Sequence, residues 1–213
     1  MLNRKLVYEF DALIPRNTPA FLLNYIKPSK GQAILDVGCG NGGLVSLLRE
    51  QGCNAEGIDL SAVRGRGKEW ITSADIEKTT LSKGKYDIII ASEILEHLSA
   101  PEKAVGKFHS ALKEGGTLVI MLPKEDVLRE LRFKSIKRLR HYVCDDLIGR
   151  QHLHSFTPAS AKKMLSGFNV VKQDDRELHF VMVAKKKKAG GTKRSAVKKG
   201  AKSAVKKRRM LKQ

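Results

Sequence analysis

The run ILDVGCGNGG, Ile34 to Gly43, decides the fold of this chain. Ala33 to Val37 is an apolar stretch of strand length, broken only by an acid, Asp36, one residue before its end. Three glycines follow at alternate positions, Gly38, Gly40 and Gly42, with Cys39 between the first two. Beyond them Leu44, Leu47 and Leu48 recur at helical spacing, with Gln51 at the boundary one turn on. Strand, glycine turn and helix together make a nucleotide-binding corner. Glycines permit φ > 0 and let a ligand lie against bare backbone, and the first N–H groups of the helix are free to meet it.

Gly38-x-Gly40-x-x-Gly43 also satisfies the dinucleotide pattern G-x-G-x-x-G, which alone is a weak signal. Asp36 and the alternate glycine spacing carry the discrimination. A pyrophosphate asks for anion-binding N–H groups, whereas a ligand bearing a sulfonium and an ammonium is served by a nearby carboxylate. The next landmark, AEGIDL from Ala55 to Leu60, is a short strand ending in Asp59, sixteen residues after Gly43. An acid at the tip of the second parallel strand lies beside the first glycine turn and can accept both hydroxyls of a ribose. Capping a helix start is the competing use of Asp59.

Further landmarks arrive in register. Ser73-Ala74-Asp75-Ile76 follows an expected strand near Glu69 to Thr72. Tyr86 to Ala91 is a continuous apolar run, as in a strand buried on both faces, and Ser92 and Glu93 then turn into a helix carrying Glu96 and His97. ALKEGGTLVIMLP, Ala111 to Pro123, reads as a helix end, a Gly-Gly stop and a strand. Two last strands are expected near Asn169 to Gln173 and Glu177 to Ala184. The few residues between them force an antiparallel hairpin, because a parallel return needs a dozen residues or more.

With these motifs the chain resembles the class I S-adenosylmethionine (SAM) methyltransferases, in the type-11/type-23 group that includes the ubiquinone-pathway enzymes, from about Asn17 to Lys185. The resemblance implies an α/β fold, a doubly wound Rossmann-like sheet that is mostly parallel with a C-terminal antiparallel hairpin, and SAM as cofactor. It implies cofactor contacts at Asp36, Gly38, Cys39, Gly40, Gly42, Asp59, Leu60, Asp75, Ile76 and Ser92. In that family an acid at the position of Asp75 bonds the adenine amino group, and the backbone of the next residue reaches the ring. Cys39 is expected to be a small packing residue within the turn. The stretch Leu60 to Glu69, LSAVRGRGKE, departs from the family: Gly65 and Gly67 shorten the usual helix, which would open the adenine side of the pocket.

Methyl transfer is an in-line displacement with an excellent leaving group, so most of the catalysis is positioning. A general base helps where the acceptor is a hydroxyl or a protonated amine. His154 and His97 are the candidates, with Glu96, His141 and His152 behind them. His154 precedes Phe156-Thr157, where related sequences often carry a histidine, and packing at a helix start is its plain alternative. Thr157 suits an N-cap for a helix from Pro158 to Leu165. His152-x-His154 is too sparse a ligand set to predict a metal, and none is expected.

Length and composition agree with one domain over residues 1–184 of the 213. No apolar run is long enough to span a bilayer, and MLNRKLVYEF lacks the apolar stretch of a signal peptide. Cys39, Cys53 and Cys144 are scattered and odd in number, so a reducing, cytoplasmic setting is expected. From Lys185 the composition changes. Residues 185–213 hold fourteen Lys or Arg and no acid, and of the net charge of +19 they leave about +5 to the rest. The unit SAVKKGAK at Ser195 recurs as SAVKKRRM at Ser203. Such a block is expected to be disordered, and in composition it resembles linker-histone tails. It points to electrostatic contact with nucleic acid or another polyanion, without the interleaved aromatics of base stacking. A second basic stretch, RELRFKSIKRLR from Arg129 to Arg140, is either an anionic-acceptor site or a solvated helix face. The expected function is methyl transfer to a small-molecule acceptor. The alternatives are an enzyme acting on RNA or on a ribonucleoprotein, and a non-catalytic nucleic-acid-binding protein that keeps the SAM fold.

Overall fold

In a computed structural model of the protein, residues 18–61, 69–124, 152–176 and 178–188 are described. The expectations for the glycine-shortened helix, for Arg129 to Arg140, His141 and Cys144, and for the tail beyond 188 lie outside these residues.

The elements in chain order are α1 (Thr18–Ile26), β1 (Ala33–Val37), α2 (Gly43–Glu50), β2 (Asn54–Asp59), β3 (Ile71–Ser73), β4 (Tyr86–Ser92), α3 (Pro101–Ala111), β5 (Leu112–Pro123), α4 (Pro158–Met164), β6 (Phe168–Asp175) and β7 (His179–Lys186). The strands form one sheet in the order β3-β2-β1-β4-β5-β7-β6. β1 to β5 pair in parallel, and β7 runs antiparallel to both β5 and β6. The expected doubly wound sheet with its terminal hairpin is therefore present. The direction of winding reverses between β1 and β4, and ligands of such sheets bind at the carboxyl ends of the strands at that point.

The apolar runs are continuous because both sheet faces are covered, and successive side chains point to opposite sides. Leu35, Val37, Ile89, Ala91, Leu118, Ile120, Phe180 and Met182 face one core, shared with Ala104, Val105 and Phe108 of α3 and Ala161 of α4. Ile34, Ile88, Ile90, Val119, Met121 and Val181 face the other, shared with Leu22 and Tyr25 of α1 and Leu44, Val45 and Leu48 of α2. No helix among the described residues is long and apolar enough to cross a membrane.

Three expectations are corrected. After β4 the chain makes one 3-10 turn, Leu95–His97, instead of a full helix. Pro101 supplies no N–H and disfavours helical backbone at Ala100, so the helix proper begins only at Pro101. Gly115-Gly116 does not stop α3, which ends at Ala111 and passes straight into β5. The glycines instead shape a bulge: Tyr86 pairs with Leu112 and Ile88 with Thr117, and Gly115 sits at φ 73. Finally, β7 continues through Lys185 and Lys186, which pair with Thr117 and Phe168, past the strand end expected at Ala184.

Candidate active site

The ends of β1 to β4 and the start of β7 share one edge of the sheet, and the predicted residues fall into two groups along it. In the first, β1 runs into the glycine turn, whose N–H groups are tied to the tip of β2. Gly38 N donates to Ile58 O at 2.8 Å, and Gly40 N donates to Asp59 Oδ2 at 2.8 Å. Asp59 Oδ1 accepts from the backbone and hydroxyl of Ser61 at 2.8 and 2.9 Å. Both Asp59 oxygens therefore lie beside the bare backbone of Gly40. That glycine has φ 52, and a Cβ built on it meets nothing within 4 Å, so the turn is open there. Leu60, next to Asp59, is 75% exposed, an apolar side chain held out over the same edge. Cys39 is buried and packs under the turn, against Gly57 of β2, where any Cβ would come within 2.6 Å of its sulfur.

Asp36 lies inside the sheet instead of at the open surface, between Gly57 and Ile90, and is 5% exposed. Burial, and then the charge of Asp59, raise its pKa to about 7. A cation bound over the turn would favour its ionised form. On the other flank, Asp75 Oδ1 accepts from Glu77 N at 2.9 Å, and Oδ2 pairs with Lys78 at 3.0 Å. Its bonds to Lys78 and Glu77 hold it below the usual carboxylate range. Ile76 turns its side chain into the core.

The second group lies beyond β4. Ser92 pairs with Met121 at the strand end. Glu93 follows in left-handed backbone at φ 51, an unusual conformation for a side-chain-bearing residue. Its Oε2 lies 3.6 Å from His179 Nε2, and its buried Oε1 has no hydrogen-bond partner among the described residues. His179 opens β7 opposite Pro123, which brings it to this edge. Glu96 accepts at its carbonyl from the N–H of Leu153 at 2.8 Å and of His154 at 3.1 Å. These bonds fasten the segment before α4 to the 3-10 turn. His97 and His152 meet edge-to-face there, ring centroids 4.6 Å apart and planes at 78°. His154 Nε2 is buried with no hydrogen-bond partner among the described residues.

The structure thus unites Asp36, Gly38, Cys39, Gly40, Gly42, Asp59 and Leu60 around one turn, Asp75 and Ile76 on its β3 flank, and Ser92, His97 and His154 on the other half of the edge. The sequence reading missed two things. Glu93 and His179 form a pair that no spacing announces. Glu96, His97 and His152 place one donor atom each within 4.8 Å of one another, a carboxylate and two imidazoles of the kind that can hold a cation. Backbone bonds from residues 153 and 154 hold the segment of His152 to the turn carrying Glu96, more than fifty residues upstream in sequence.

A glycine turn on a switch-point edge, an acid at the second strand's tip and an antiparallel hairpin at the end of a seven-stranded sheet define the SAM-dependent methyltransferase class, whose cofactor is SAM. A family model described as a methyltransferase domain matches residues 6–173, and the chain belongs to that family. It is 30% identical over 131 residues to a malonyl-[acyl-carrier protein] O-methyltransferase of Enterobacter lignolyticus, covering 59% of this chain and 52% of that one. It is 32% identical over 114 residues to a ubiquinone biosynthesis O-methyltransferase of Marinobacter nauticus, covering 46% of this chain and 48% of that one. The chain thus spans about half the length of the curated relatives it matches. Among solved structures, an Archaeoglobus fulgidus SAM-dependent methyltransferase superimposes with a TM-score of 0.61 at 18% identity, over 86% of this chain and all of that one. The 1,6-didemethyltoxoflavin-N1-methyltransferase of Burkholderia thailandensis, solved with bound 1,6-didemethyltoxoflavin and S-adenosylhomocysteine, does so at 0.58 and 17%, over 81% and 77%. At these identities the structural likeness shows the fold.

Proposed function

We propose that the protein transfers the methyl group of SAM to a small-molecule acceptor. The observation that carries this reading is the open Gly40 backbone beside both oxygens of Asp59, under the exposed Leu60. That cradle fits a ribose and an adenine face, and within the sheet beneath it lies Asp36, whose ionised form a cation over the turn would favour. In this reading Asp59 takes the ribose hydroxyls, Asp75 the adenine amino group and the Ile76 backbone the ring edge, while Gly38, Gly40, Gly42 and Ser92 line the remainder. Bound SAM supplies an electrophilic methyl carbon on a sulfonium.

The residues beyond β4 then serve the acceptor. His154, with a buried ring nitrogen unengaged among the described residues, is the group assigned to take the acceptor's proton as the new bond to the methyl carbon forms and the bond to sulfur breaks. His97, set edge-to-face against His152, is assigned to the wall of the same half of the site. The two curated relatives named above are O-methyltransferases by name, which supports a small acceptor and leaves the methylated atom open. A reducing, cytoplasmic setting is part of this reading, with Cys39 and Cys53 both buried and outside any disulfide among the described residues. The Lys/Arg-rich tail is assigned polyanion binding, nucleic acid included, separate from the transfer step.

Calorimetry tests the cofactor assignment. S-adenosylhomocysteine should bind and NAD hardly at all. Asp59→Ala should weaken S-adenosylhomocysteine about ten- to a hundred-fold, the worth of charge-assisted bonds of roughly 1.5–3 kcal/mol. Tighter binding of NAD, or an unchanged affinity in Asp59→Ala, removes the assignment.

A further inference from the structure

Lys107 lies on α3, outside every cofactor motif, yet its ammonium is committed to the loop after β3. It donates to Ile76 O at 3.0 Å, Glu77 O at 2.6 Å and Thr79 O at 3.0 Å. An ammonium has three N–H bonds, so this one is fully used on three carbonyls of a single loop. Holding so long a side chain in one rotamer carries an entropic cost, which the three charge-assisted bonds offset. The same loop is tied to α3 twice more. The Glu77 carboxylate accepts from Ser99 N, Ser99 Oγ and Ala100 N at 3.2, 2.7 and 2.9 Å, just before the helix begins. The Ile76 side chain is buried in the core that contains Ala104, Val105 and Phe108 of α3. The backbone from Asp75 to Thr79 is therefore fixed against α3 at three points, and Asp75 sits at the end that faces the cofactor edge.

We propose that Lys107 is a positioning residue for cofactor recognition: by capturing three carbonyls it holds the Asp75 carboxylate and the Ile76 backbone where the amino group and ring edge of adenine are read. The inference rests on the assignment of adenine to Asp75 and Ile76 made above. A lysine acting only on stability would change the affinity of every cofactor analogue alike. A lysine that aims Asp75 changes the discrimination between purines.

The test is calorimetry on the full chain with S-adenosylhomocysteine and S-inosylhomocysteine, in which a 6-oxo group replaces the 6-amino group. Wild type should prefer the adenine compound about ten- to a hundred-fold, the range for one hydrogen bond to a charged acceptor. Lys107→Met should bind S-adenosylhomocysteine about tenfold more weakly and lose most of the preference. Lys107→Gln, which keeps a donor on a shorter stem, should be intermediate, and it carries the same comparison if Lys107→Met does not fold. A full preference retained in the Lys107 variant overturns the inference while leaving the adenine assignment standing. Equal binding of both compounds by wild type, with Asp75→Asn binding S-adenosylhomocysteine unchanged, removes the adenine assignment and the inference with it.

Discussion

Gly38 and Gly40 share positive φ, 74 and 52, but differ in what surrounds them. A Cβ on Gly38 would lie 2.9 Å from Cβ of Ile94, an atom that moves only with its backbone, while one on Gly40 meets open space. Left-handed backbone costs a side-chain-bearing residue about 1–2 kcal/mol, and overpacking adds about 1–3. Gly38→Ala should therefore lose roughly 2–5 kcal/mol of stability. Gly40→Ala should lose only about 1–2 kcal/mol, with its larger effect on S-adenosylhomocysteine affinity. Urea unfolding and calorimetry on both variants check this, and similar unfolding midpoints would show that Ile94 does not confine the turn.

Asp36 makes a pH prediction. Its folded pKa of about 7 stands above the ordinary 3.8, so between those values the folded protein binds the extra proton. Stability then falls as pH rises through that window and levels off above it. Asparagine mimics the neutral acid and does not titrate. Asp36→Asn should thus melt higher than wild type, with an advantage that widens on the order of 2–3 kcal/mol between pH 5 and pH 8. Parallel stability curves across that range would show that Asp36 does not carry the shift.

Among the elements, α4 is short and depends on its start. Thr157 accepts from Ser160 N at 3.1 Å, and Ser160 Oγ in turn accepts from Thr157 N at 2.9 Å, with Pro158 at the first helical position. Thr157→Ala should cost about 1 kcal/mol, a fall in melting temperature of roughly 2–4 °C for a chain of this size. The segment just before this helix carries His152 and His154, so loosening α4 should also show as faster amide exchange at Leu153 and His154, whose N–H groups are held by Glu96. Unchanged exchange there would mean that the Glu96 carbonyl anchors the segment independently of the helix. The terminal hairpin has its own latch to the first helix. Tyr25 donates to Asp174 at 2.5 Å, and Arg176 donates to the same carboxylate at 2.9 Å.

For the molecule as a whole, the boundary between domain and tail matters. Lys185 and Lys186 belong to β7; Lys186 also donates to Leu112 O at 2.8 Å, and Lys187, just beyond the strand, donates to Ser166 O at 2.6 Å. Removing residues 189–213 deletes ten Lys or Arg and leaves β1 to β7 in place. The truncated protein should keep its melting temperature and its S-adenosylhomocysteine affinity. The full chain should bind duplex DNA without sequence preference. If about half of those ten charges meet phosphates, log K should fall against log salt with a slope near −4.5, from about −0.9 per contact. Truncation should abolish most of that binding, as measured by fluorescence anisotropy at several salt concentrations. Full affinity in the truncated chain would move the binding site to the basic stretch from Arg129 to Arg140.

What was legible in the sequence was local. β1 lies at Ala33–Val37 as its apolar run predicts, α2 opens directly after the glycines, and Thr157 caps α4, because chain geometry, glycine backbone freedom and capping act over a few residues. The brevity of the last connection likewise required an antiparallel hairpin. Other features depended on pairings between distant segments. The three carbonyls captured by Lys107, the bulge at Gly115-Gly116 and the extension of β7 to Lys186 follow from which strand or helix lies alongside. The raised pKa of Asp36 needs burial between β2 and β4 together with the charge of Asp59. The Glu93–His179 pair and the Glu96–His97–His152 cluster join residues more than fifty positions apart. No periodicity encodes such contacts, because the sheet register that brings them together is settled by the packing of both faces at once.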